Sequence, residues 1–99
     1  MSVLMTLRVA GDPQAVEAAD RQMLQTVVQR AKDHGMISHH FFGGDNEVLV
    51  VDEWPDEQSF KAFFESSPEI GQLMAAAGVT SQPRAEFWRP LDTGDAVGW

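Results

Sequence analysis

The stretch Ser38–Trp54, "SHHFFGGDNEVLVVDEW", decides how the chain is read. Two runs rich in aromatic, β-branched and other apolar residues flank "GGDN", which is turn chemistry, so the segment reads as a β-hairpin. A turn at Gly43–Asn46 sets Phe42 opposite Glu47, Phe41 opposite Val48, His40 opposite Leu49 and His39 opposite Val50. Alternation then gives His39 one face with Ile37, Phe41, Val48, Val50, Asp52 and Trp54. His40 shares the other with Ser38, Phe42, Leu49, Val51 and Glu53. The adjacent histidines point opposite ways and cannot clamp one metal. Asp52 and Glu53 are separated in the same manner, so they are not a paired-carboxylate site.

Upstream, Val3 to Val9 alternates Val3, Met5, Leu7 and Val9 against Leu4, Thr6 and Arg8, the period of a strand. Asp12 is placed to cap a helix with Pro13 at its first position. Val16, Ala19, Met23, Val27 and Ala31 keep helical spacing until Gly35, and His34 sits at the helix end, where a cap is its expected role. Downstream, Asp56 caps a short helix with Phe60, Phe63 and Phe64 on one face. Pro68 restarts a helical turn, and Ile70, Leu73, Met74 and Ala77 carry the stripe to Gly78. "RAEFWR", between Pro83 and Pro90, reads as a last short strand.

The order is β-α-β-β-α-β, which predicts an α+β, ferredoxin-like fold: a four-stranded antiparallel sheet with both helical segments on one face. Yet Phe41 and Phe42, Val50 and Val51, and Phe87 and Trp88 make both faces apolar. Two helices cannot cover both. A second copy can, so the expected assembly is a homodimer with sheets face to face, a dimeric α/β barrel. The expected domain is residues 1–91, followed by a tail, 92–99, whose Trp99 is costly to leave in water.

Composition excludes several classes. The chain has 99 residues, 43% of them hydrophobic, enough for one core. Fifteen acidic against seven basic side chains give a charge of -8, which repels phosphate backbones and anionic lipid; neither nucleic acid nor membrane is an expected partner. No apolar run approaches the roughly 20 residues of a transmembrane span. The absence of cysteine removes disulfides, thiolate catalysis and cysteine-ligated metals, and fits a cytoplasmic location.

The segment Glu47–Ile70, "EVLVVDEWPDEQSFKAFFESSPEI", resembles the antibiotic biosynthesis monooxygenase family of the dimeric α/β barrels: a strand ending in an acidic residue and tryptophan, a capped helix, then "S-P" and another helical turn. The resemblance implies a homodimer and a cofactor-independent monooxygenase-like protein that acts on or binds a small aromatic compound, without metal, flavin or haem. The alternative is a non-catalytic binding protein or a purely structural dimer. Many relatives place histidine or tryptophan nine positions after the strand-end tryptophan; here that position is Phe63, which can stack but cannot transfer a proton. Haem-degrading relatives carry an asparagine and a histidine where this chain has Met5 or Leu7, and Leu73 or Met74, so their haem machinery does not carry over.

Among the chain's own residues, His39 is the candidate catalytic group, because histidine as a type exchanges protons near neutrality. The other reading is a core histidine with one nitrogen satisfied, and no third group that would orient the imidazole is evident from the pattern. The candidate ligand-binding residues are Met5, Leu7, Trp54, Phe60, Phe63 and Trp88, an apolar lining for a flat ligand in a cleft between sheet and helices.

Overall fold

A computed structural model describes residues 2–76, 78–79 and 83–98. Its elements are β1 (Val3–Ala10), α1 (Pro13–Glu17), α2 (Arg21–Asp33), β2 (Ser38–Gly44), β3 (Glu47–Trp54), α3 (Glu57–Glu65), α4 (Glu69–Ala76) and β4 (Arg84–Trp88). The strands form one antiparallel sheet in the order β2-β3-β1-β4, the ferredoxin-like arrangement expected from the element order.

The covered face of the sheet carries Met5, Leu7 and Val9 from β1 with Val48 and Trp54 from β3. These pack with Ala31, Phe60 and Phe63 from the helices into a single core. Trp54 is 0% and Met5 1% exposed. The caps follow the sequence: the Asp12 carboxylate accepts from the Gln14 amide at 2.9 Å, and that of Asp56 from the Ser59 amide at 2.7 Å. His34 ends α2, its Nδ1–H donating to the Arg30 carbonyl at 2.9 Å, and Gly35 turns the chain at φ 103°.

Two expectations are corrected. The first helix is not continuous, because residues 18–20 interrupt it. The Asp20 carboxylate accepts from the Gln22 amide at 2.9 Å and caps a second helix, a local bond that competes with helix continuation. The hairpin turn is Asp45–Asn46 alone. Asn46 adopts φ 56°, which asparagine tolerates, and Gly43 and Gly44 stay in the ladder opposite Val48 and Glu47. Pro13 packs against Gly43 so closely that a Cβ there would lie 2.8 Å from the proline Cβ, so α1 lands on the hairpin where only glycine fits.

No helix among the described residues covers the second face of the sheet. Leu49 and Val51 are half-buried there, and Phe42 and Trp88 are 47% and 51% exposed. Beyond Trp88 the described chain has no regular structure, and Leu91 and Val97 are exposed. Ala77 and Trp99, given roles in the sequence reading, lie outside the described residues.

Candidate active site

Between the covered face of the sheet and α2, α3 and α4 lies a cavity of about 110 Å³. Its floor is Met5, Leu7, Val48 and Val50; Val27 and Val28 from α2, Phe60 and Phe63 from α3, and Leu73 and Met74 from α4 close around it. Phe41 and Phe64 are the lining residues exposed to solvent, so they mark its mouth. Among the described residues, the polar side chains of the lining are His39 on β2 and Asp52 on β3.

The two-residue turn brings this pair together. A four-residue turn would set His39 opposite Val50; with Gly43 and Gly44 in the ladder, His39 lies directly opposite Asp52. The slip is two residues, so every side chain keeps its face while every partner changes. His39 Nδ1 approaches Asp52 Oδ1 at 2.7 Å, and Trp54 Nε1 donates to Asp52 Oδ2 at 3.2 Å. Asp52 is 4% exposed, and a carboxylate buried that deeply is tolerated because both oxygens accept a bond.

The bond to the carboxylate assigns the imidazole proton to Nδ1, which makes Nε2 of the neutral ring an acceptor. Nε2 makes no hydrogen bond to another described side chain, and the His39 side chain, 21% exposed, belongs to the cavity lining. Phe41 meets the ring edge-on, with centroids 4.8 Å apart, which further limits its rotation. Asp52 is thus the orienting group that sequence reasoning missed. The signal was present, because Asp52, His39 and Trp54 share one face by alternation, but the turn length hid the contact.

Of the six expected lining residues, Met5, Leu7, Phe60 and Phe63 line the cavity. Trp54 lies beneath it, in ring contact with Phe60 at 5.6 Å and Phe63 at 5.4 Å, so it supports the wall and holds Asp52. Trp88 is a correction. Its register partner is Leu4, on the other face, and its Nε1 donates to Thr6 Oγ1 at 2.9 Å, away from the cavity. No group of three or more histidine, cysteine, aspartate or glutamate side chains that could hold a metal occurs among the described residues.

No family model matches the sequence and no curated protein does. Solved structures do. The chain is similar to a cofactor-independent oxygenase from Streptomyces nogalater, SnoaB (17% identity, 96% of this chain and 98% of that one, TM-score 0.63). It is similar also to a monooxygenase of Streptomyces coelicolor in complex with the ligand nanaomycin D (17% identity, 93% and 89% covered, TM-score 0.66). A third, named antibiotic biosynthesis monooxygenase, is 9% identical over 91% of this chain and 99% of its own, with TM-score 0.63. At these identities the likeness establishes the fold: the chain has the ferredoxin-like α+β fold of antibiotic biosynthesis monooxygenases. No helix among the described residues is long and apolar enough to cross a membrane.

Proposed function

We propose that the protein is a cofactor-independent monooxygenase of the antibiotic biosynthesis type, acting on an electron-rich hydroxylated arene bound in the cavity, with His39 as its base. The observation that carries this reading is the 2.7 Å bond from His39 Nδ1 to the buried Asp52 carboxylate, which leaves Nε2 of this lining histidine as an acceptor among described lining residues that, Asp52 apart, are apolar. The fold shared with monooxygenases supports it.

In this scheme Nε2 removes the ring hydroxyl proton, and Asp52 balances the imidazolium that forms. The resulting arenolate is electron-rich enough to reduce dioxygen. A new C–O bond forms at a ring carbon that carried hydrogen, the O–O bond breaks, and the second oxygen leaves as water with that hydrogen and the proton held by His39. The ring becomes a quinone, and all four electrons come from the substrate. Phe63 and Phe60 stack against the ring but exchange no proton.

The same reading makes the protein a cytoplasmic homodimer. The uncovered sheet face, with Leu49, Val51, Phe42 and Trp88, is the surface that a second copy would bury.

Oxygen consumption with hydroxyanthracene-like and quinol substrates tests the function. Wild type is expected to turn over at least one of them, and His39→Ala to lose about 10²- to 10⁴-fold. Asp52→Asn, which acts through His39, is expected to lower kcat more than it raises KM. Binding without oxygen uptake would make this a binding protein on a monooxygenase fold.

A further inference from the structure

A second recess adjoins the cavity. It measures about 430 Å³ and lies between α1 and the far end of β2, where Pro13, Glu17 and Gly43 line it together with Val16, Phe41 and Val48. Val16, Phe41 and Val48 line the His39 cavity as well, so the two spaces meet at these side chains. The recess has a fixed wall, because a Cβ on Gly43 would stand 2.8 Å from that of Pro13; the glycine lets α1 press onto the hairpin, and Val16 packs against the core. Phe41 stands at the junction, exposed at the mouth of the cavity, with its ring edge-on to His39. A ligand whose ring lies beside His39 and which outgrows the cavity on this side passes Phe41 into the recess.

Charge sets the recess apart. Among the described residues, Glu17 is the ionisable side chain of its lining. Glu17 is exposed at the end of α1. The Arg21 guanidinium donates to its backbone carbonyl at 3.0 Å, and its carboxylate makes no ion pair with another described residue. A carboxylate left in this state attracts a cation and repels an anion, and the net charge of -8 adds to both effects. Gly43 lies four residues beyond His39 on β2, about 13 Å along an extended strand. An arene held at His39 therefore reaches the Glu17 recess through a short chain.

We propose that the recess is an outer subsite of the same ligand site, and that Glu17 sets its preference: the ligand is a hydroxylated arene whose substituent passes Phe41 and ends in a cationic amine. The proposal rests on the assignment of the cavity and His39 as the arene site. Phe42 borders the recess from the uncovered face and would be shared with the second copy of the proposed dimer, whereas Glu17 lies on α1.

Titration calorimetry on the intact protein with phenols carrying a pentyl, an aminobutyl or a carboxypropyl chain opposite the hydroxyl tests it. Wild type is expected to bind the amine most tightly and the acid least, with about fivefold or more between those two. Glu17→Lys reverses the order. Glu65→Lys, the same change of charge at an exposed position of α3 outside both linings, keeps the wild-type order. Thermal melting checks that both variants are folded. An order that survives Glu17→Lys, or that Glu65→Lys also reverses, would overturn the subsite, because net charge alone would then account for it. Equal affinity for all three phenols, the result of a second copy filling the recess, would overturn it too. An order that follows Glu17 without oxygen uptake keeps the subsite and removes the oxygenase reading. Oxygen uptake with all three at equal affinity does the reverse, and binding of none overturns both.

Discussion

The two faces of the sheet are built from the same alternating strands and meet different fates. On the covered face, β1 and β3 present Met5, Leu7, Val9 and Val48 to the helices, and the polar groups there, His39, Asp52 and the Trp54 indole, are linked into one chain of hydrogen bonds. On the uncovered face, polar groups pair locally at the surface. Arg8 grips Glu47 through two bonds of 2.9 and 3.0 Å, Ser2 bonds Glu53, and Trp88 bonds Thr6. The same amino-acid types therefore do different work. Buried polar groups must find partners, and doing so fixes their geometry, whereas surface pairs such as Arg8–Glu47 add little stability.

The largest expected effects come from placing one charge on either face. Val48→Asp puts an unpaired carboxylate into the core and is expected to cost about 4 kcal/mol or more, seen as loss of cooperative unfolding in urea. Val51→Asp, on the uncovered face, is expected to leave each copy folded and to weaken the proposed dimer by at least about 10²-fold in sedimentation, because a two-fold interface would meet the change twice. If Val51→Asp unfolds the chain, or leaves a dimer intact, the uncovered face is not the interface.

Next come the two tryptophans. Trp54→Ala is expected to lower stability by about 3–5 kcal/mol, since it leaves a void between α3 and the sheet and strips Asp52 of a donor. Trp88→Ala removes a half-exposed side chain and is expected to act on association, with monomer stability changed by less than about 1 kcal/mol. Equal losses of stability in the two variants would erase the difference between the faces.

The smallest expected effect lies at the start of α3. The backbone amide of Ser59, more than any other group, holds the Asp56 carboxyl below its ordinary value of 3.8. A group whose folded value is depressed stabilises the fold above its unfolded value, and that contribution fades as pH falls through the folded value. Stability of the wild type should therefore fall more between about pH 4 and pH 2 than that of Asp56→Asn, measured by thermal melting across that range.

Much of this was legible from the chain. The alternation Val3–Val9, the caps at Asp12 and Asp56 and the Ser38–Trp54 hairpin gave the ferredoxin-like order, because each signal is local and each element obeys its own period. The assignment of residues to faces also held, since an error of two in register preserves parity. What could not be read was turn length: "GGDN" serves a two- or a four-residue turn equally well in composition. The packing of Pro13 on Gly43, a contact between residues 30 apart, keeps the glycines in the strand. For the same reason Asp52 was seen as a neighbour of His39 but not as its partner. Trp88 was misplaced for a different cause. Periodicity shows that Phe87 and Trp88 face opposite ways but not which of them faces the helices, and that is settled by the pairing of Met5 with Phe87. The break in the first helix was hidden because Ala19 and Met23 keep helical spacing across it, while Asp20 prefers to cap.

The most direct test of the site is the nitrogen NMR spectrum of the His39 imidazole in its neutral form, recorded before and after phenol is added. Protonated Nδ1, with an acceptor Nε2 whose resonance moves on addition of phenol, is the predicted result, and Asp52→Asn should return the ring to a mixture of tautomers. A proton on Nε2 in the wild type, with no response to phenol, would contradict the account.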